Sequence, residues 1–145
     1  QSHLEQHKIT PSLKSVSEAV IAIRNSKLPD PKDIGNAGSF FKNPIVSQQH
    51  LDTLLTRFPT MPHHPFENKQ YKIPAAWLIE QAGLKGHRLA DAGTHHQQAV
   101  VVVNHANATG KDIANFAKQI QQKVFTGFNI RLENEVNMLP KSQTQ

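Results

Sequence analysis

The chain has no cysteine. A thiolate nucleophile, a cysteine-ligated zinc and a disulfide framework are therefore all closed to it, and the absence fits a reducing compartment. Long apolar runs are missing too. Nothing approaches the roughly 18 residues of a membrane span, and the opening Gln1-Ser2-His3-Leu4-Glu5 lacks the basic-then-apolar build of a signal peptide. A soluble protein without membrane contact is expected. Concentrated charge is the third absence. Lys and Arg number 16 against 11 Asp and Glu, a formal +5, but the longest basic run is one residue. A nucleic-acid binder gathers its basic side chains on one face or in one tract, so no nucleic acid is expected. The charge mildly favours an anionic ligand, although a solvated surface is the simpler reading.

With 145 residues, one domain can bury about 68–70% of its unfolded surface and needs no staple. The first residue is Gln rather than Met, and a piece of a longer protein is expected.

Ser15 and Glu18 have capping-box spacing, with Val16, Ala19, Val20 and Ile23 at helical intervals, which predicts a helix ending near Asn25. Pro29 and Pro31 stop it. A second helix is predicted from Ser47, with Leu51, Leu54, Leu55 and Phe58 on one side, ending at Pro59. The stretch Pro59–Lys72, holding Pro59, Pro62 and Pro65, reads as an irregular surface loop. Pro74 suits the first turn of a short helix through Trp77, Leu78 and Ala82, closed by Gly83. The β-branched run Val100–Val103 predicts a buried strand. Thr109 caps the strongest helix, with Asp112 at its third position, a stripe of Ile113, Phe116, Ala117, Ile120 and Val124, and Gly127 as its end. Alternation from Phe128 predicts a strand through Leu132, then a loose polar tail from Pro140. These elements make an α+β fold, a small sheet with packed helices.

Three constellations bear on chemistry. Gly35–Pro44 (GNAGSFFKNP) is the least ordinary stretch. Its glycines allow close backbone approach or positive φ and would present the Ser39 hydroxyl on a tight turn. It is neither a Walker A loop nor a nucleophile elbow, and on the residues alone a glycine turn whose serine caps a backbone amide is the simpler reading. Glu133 and Glu135, two apart, would face one way on a strand. Their repulsion could raise one pKa into the range of acid catalysis; a solvated strand end is the plainer account. The pairs His63-His64 and His95-His96 lack a ligand spacing, so no metal site is expected.

Taken in order, LPDP at Leu28–Pro31, GNAGSFFKNP at Gly35–Pro44, AWLIEQAGLKG at Ala76–Gly86, QQA at Gln97–Ala99 and LENEV at Leu132–Val136 resemble the C-terminal part of the UDP-N-acetylenolpyruvoylglucosamine reductase (MurB) family. The likeness runs from the Ser15 helix to about Leu139. It implies a flavoenzyme of bacterial peptidoglycan synthesis, working in the cytoplasm, that reduces the enolpyruvyl ether of UDP-N-acetylglucosamine to UDP-N-acetylmuramate with NADPH through FAD. Residue by residue, the resemblance implies that Ser39 supplies the proton and that Glu135 supports the developing charge or protonates in concert. Lys27 and Asn43 would hold the diphosphate, Gln98 would add a neutral hydrogen bond, and Arg24 falls on the flavin or carboxylate side.

The same resemblance implies a division of the chain. Residues 1–27 would form a helix and connector that normally pack on the FAD-binding domain, 28–128 the substrate-binding domain, and 129–145 a C-terminal strand and tail. The N-terminal FAD-binding domain, with its arginine for the substrate carboxylate, would lie upstream. Alone, the chain is expected neither to bind FAD tightly nor to turn over, and to expose apolar surface where the missing domain packs. Two positions depart from the family pattern: Asn134 stands where proline is common between the two glutamates, and Asn137 where a basic residue is common. The alternative reading is a stand-alone UDP-sugar or nucleotide-binding module without redox activity.

Overall fold

In a computed structural model of the chain, residues 28–138 are described. The helix expected from Ser15 to Asn25, Arg24, Lys27 and the tail from Leu139 lie outside the described residues.

Strands β1 (Gly35–Ser39), β2 (Ile45–Ser47), β3 (His64–Pro65), β4 (Gln70–Lys72), β5 (Arg88–Leu89), β6 (Ala92–Thr94) and β7 (Val101–Asn104) alternate with three helices, α1 (Gln48–Arg57), α2 (Ala75–Gln81) and α3 (Gly110–Phe128). Among the described residues the strands form two antiparallel sheets, ordered β1-β7-β6-β5 and β2-β4-β3. The α+β expectation holds.

Helix starts follow the capping chemistry. The Ser47 hydroxyl accepts the His50 N–H, opening α1 with Leu51 and Leu54 buried. Pro74 stands just before α2, and Gly83 takes φ 77° after it, where a side chain would be strained. Thr109 and Asp112 form a reciprocal capping box for α3. α3 packs across β6 and β7 and meets α2, while α1 packs on β2 and β4. The stripe Phe116, Ala117, Ile120 and Val124 and the run Val101–Val103 are buried together with Ile73, Leu78 and Ile79. Each buried Val, Leu, Ile or Phe side chain among them contributes about 1.5–3 kcal/mol relative to exposure.

Three expectations are corrected. Pro59–Lys72 is not an unstructured loop: β3 and β4 pair there, joined by a left-handed turn with Asn68 and Lys69 at φ 53° and 57°. Gly127 does not end α3. The helix runs through to Phe128, whose ring packs against Phe58 and Trp77 at centroid distances of 5.1 and 5.8 Å, and Asn129 closes it at φ 55°. Packing thus outweighs the roughly 1 kcal/mol cost of a helical glycine. Finally, Phe128–Leu132 is not a strand; beyond α3 the segment buries Ile130 and Leu132 in the core and pairs at one isolated bridge, Phe41 to Asn134.

Candidate functional site

The glycine block is not a tight turn. It runs as edge strand, plug and cap. β1 pairs with β7 at Gly35–Asn104, Asn36–Val103 and Ser39–Val101, with a register shift between Asn36 and Ser39. Within the shift Gly38 adopts φ 79°, and the Asn36 carboxamide oxygen accepts its N–H at 2.9 Å. The side chains that cap backbone amides in this block are therefore Asn36 and Asn43, while Ser39 stays exposed at the strand end. The chain then buries Phe40 and Phe41 as an edge-to-face pair, centroids 5.0 Å apart. These rings anchor the end of β1 in the core, so that Ser39 sits on a fixed backbone with its side chain on the solvent side.

Glu135 reaches the same place by its backbone. Its N–H donates to the Phe40 carbonyl at 2.8 Å, and the Lys42 N–H donates to the Glu133 carbonyl at 2.9 Å. Those two bonds flank Asn134, whose own N–H neither of them uses, so a proline at this position would be compatible with the pairing. No strand spans Glu133 and Glu135, which flank the isolated bridge at Asn134. Glu133 instead lies 3.8 Å from the Lys42 ammonium, both side chains being largely in solvent, which makes the pair worth little.

Gln98 is linked to the site through Val101. Its carbonyl accepts the N–H of Val101, the residue paired with Ser39, and its own N–H donates to His95 Nδ1 at 3.2 Å. The Gln97 N–H donates to the same nitrogen. Burial and, secondarily, the neighbouring His96 hold His95 below the ordinary imidazole range, in keeping with an Nδ1 that accepts two N–H groups. Asn43 stands apart from these three: its Oδ1 accepts the Ala75 N–H at 2.9 Å and so starts α2. The structure thus gathers Ser39, Glu135 and Gln98 around the end of β1 and carries Asn43 one step farther, past the phenylalanine plug.

Two hollows flank the block. An apolar groove of about 300 Å³ runs beside β1, lined by Gly35, Ala37, Phe40, Val136 and Met138 among others. Asn36, Asn104 and Asn137 add polar groups to its otherwise apolar wall. A polar cleft of about 310 Å³ lies beyond the plug, where Lys42, Asn43, His50 and Arg131 meet Glu133; Lys42 and Arg131 are its cations, and His50 Nε2 bonds to the Phe128 carbonyl. Among the described residues no cluster of three or more His, Asp or Glu offers a metal site, and no helix is long and apolar enough to cross a membrane.

Sequence reasoning missed the roles of Asn36 and His95 as acceptors of backbone N–H groups. The spacing of Asn36 two before Gly38 is an Asx-turn signal that was legible. His95 carried none, since its role depends on the loop between β6 and β7.

The C-terminal domain of UDP-N-acetylenolpyruvoylglucosamine reductase matches residues 30–139. The chain belongs to that family. A UDP-N-acetylenolpyruvoylglucosamine reductase of Flavobacterium johnsoniae is 54% identical over 129 residues, covering 89% of this chain and 38% of the relative. Reductases of the same name from Porphyromonas gingivalis and Pseudoalteromonas translucida are 48% and 51% identical, over 94% and 90% of this chain and 40% and 38% of theirs. The chain thus spans about two fifths of the length of the curated relatives it matches. Within the family, the Ser39, Asn43, Gln98 and Glu135 motifs all fall inside the matched region.

Proposed function

We propose that this chain is the C-terminal part of a cytoplasmic flavoenzyme of peptidoglycan synthesis that reduces UDP-N-acetylenolpyruvoylglucosamine to UDP-N-acetylmuramate with NADPH. The observation that carries the reading is the meeting of the Ser39 and Glu135 segments at the end of β1, within a family match to the reductase C-terminal domain. FAD, held mainly by an upstream domain, would supply the hydride chemistry, with NADPH as its reductant. The apolar groove beside β1 is compatible with one side of its ring system, and Arg24 would lie toward the flavin or the substrate carboxylate.

The chain's own residues supply the rest. When the methylene carbon of the enolpyruvyl group receives hydride, electrons move toward the carboxylate and the neighbouring carbon needs a proton. The Ser39 hydroxyl gives it. A serine is a weak acid at neutral pH, so this requires a strongly basic carbon and a preorganised site, and the double anchor of Phe40 and Phe41 supports such rigidity. Glu135 assists, as a charge partner or a concerted acid. Lys27 and Asn43 hold the diphosphate, with Lys42 and Arg131 adding positive charge in the polar cleft, and Gln98 adds a neutral hydrogen bond. In this reading residues 1–27 and the segment near Glu135 pack against the flavin domain.

The test is made on the longer protein. It should purify yellow, be bleached by NADPH and regain colour on adding the enolpyruvyl substrate, whereas residues 1–145 alone should bind FAD weakly and not turn over. A colourless longer protein that binds UDP-sugars would favour the stand-alone binding module instead.

A further inference from the structure

The structure assigns Asn36 as the residue that positions Ser39, an inference that rests on the proton-donor reading above. Its carboxamide makes three contacts in opposite directions. The oxygen accepts the Gly38 N–H at 2.9 Å, while the NH2 donates to the Ile34 carbonyl at 2.9 Å and to the Pro29 carbonyl at 3.3 Å. One side chain therefore ties the approach segment from Pro29 to Ile34 to the irregular step of β1.

That step decides where Ser39 points. A strand alternates its side chains, and a register shift re-aims the residue that follows it. The shift lies between Asn36 and Ser39, and Gly38 accommodates it at φ 79°. A Cβ on Gly38 would meet nothing within 4 Å. The space around Gly38 is open, so only its left-handed backbone calls for glycine. The hydrogen bond that the Gly38 N–H donates to the Asn36 carboxamide oxygen holds that conformation, and with it the direction of the Ser39 hydroxyl. Asn36 is half-buried and Ser39 exposed; the three hydrogen bonds of the Asn36 carboxamide all go to backbone groups, so it acts on Ser39 by positioning the strand.

The experiment uses the full-length reductase. Asn36→Ala should slow reoxidation of the reduced flavin by substrate about 10- to 100-fold, the scale expected for a displaced reacting group. Reduction by NADPH and the substrate Kd should change less than about threefold, since the proton donor serves neither. Hydrogen exchange at the Gly38 amide should accelerate in Asn36→Ala and slow again in Asn36→Ser, whose hydroxyl can accept the same N–H; the serine variant should also recover most of the reoxidation rate. Parental reoxidation in Asn36→Ala, or an equal loss in both half-reactions, overturns the assignment. Ser39→Ala measured alongside separates the two readings. If it is impaired while Asn36→Ala is not, only the positioning role falls. If Ser39→Ala itself reoxidises at the parental rate, the donor reading falls, and unchanged Gly38 exchange in Asn36→Ala would then refute the bulge-holding role as well.

Discussion

Glu135 donates its backbone N–H to the carbonyl of Phe40, 2.8 Å away, so two segments far apart in sequence meet one residue from Ser39. The contact is made by backbone, and the carboxylate is left for other work. Glu135→Gln should therefore leave the pairing intact and shift stability by no more than about 0.5 kcal/mol. In the full-length reductase it should nevertheless slow the substrate half-reaction, by roughly 10²-fold or more if the carboxyl group takes part in proton transfer. Thermal melts and stopped-flow reoxidation check the two halves of this statement.

Asn43 carries a structural duty as well as the proposed diphosphate contact, because its Oδ1 accepts the Ala75 N–H that starts α2. Asn43→Ala should destabilise the domain by about 1 kcal/mol, read by denaturant unfolding. Asn43→Asp keeps the acceptor and should retain stability, yet place negative charge beside a dianionic ligand and weaken substrate binding. Equal binding by Asn43→Asp and the parent would remove Asn43 from the diphosphate site while leaving its capping role.

The lowered pKa of His95 predicts a pH dependence with a definite sign. The folded state holds fewer protons on this ring than the unfolded chain does, so its contribution to stability is complete above ~6.5 and declines as the pH falls toward the depressed folded value. NMR titration should place the His95 midpoint below that of a free imidazole. His96→Gln removes only the smaller of the two causes and should raise the midpoint part-way. Protonation also takes Nδ1 from the Gln97 and Gln98 amides, so both amide resonances should move with the same midpoint.

Two glycines should respond differently to alanine. At Gly93 a Cβ would lie 2.9 Å from the His87 carbonyl oxygen and 2.9 Å from His105 Nε2, so Gly93→Ala should cost about 1–3 kcal/mol through overpacking. Adding His105→Ala should not restore it, because the His87 carbonyl is backbone. Gly38→Ala meets no atom within 4 Å, and its cost, about 1–2 kcal/mol, comes from the left-handed backbone alone. Denaturant unfolding of the three variants separates clash from conformation.

The legible parts of this fold were those whose signals are local. Ser47, Pro74 and Thr109 stand where the structure starts its helices, and the Val100–Val103 run supplies β7. What escaped was decided by partners distant in sequence. β3 and β4 are two and three residues long, too short to show alternation, and three prolines nearby argue locally for a loop. The β5–β6 hairpin turns through Ala90 at φ 52° rather than through glycine, with Arg88 bonded to the Ala90 carbonyl and the Asp91 carboxylate. Gly127 looked like a stop, and only the Phe58–Trp77–Phe128 cluster explains why α3 passes it. At the site, residue types pointed to Ser39 and Glu135, but their meeting depends on the bridge between Phe41 and Asn134, which no local pattern encodes.

The most direct test of the central claim is stopped-flow flavin absorbance in the full-length reductase carrying Ser39→Ala. Reduction by NADPH should proceed at the parental rate, and reoxidation by the enolpyruvyl substrate should be lost. Reoxidation at the parental rate would contradict the assignment of Ser39 as the proton donor.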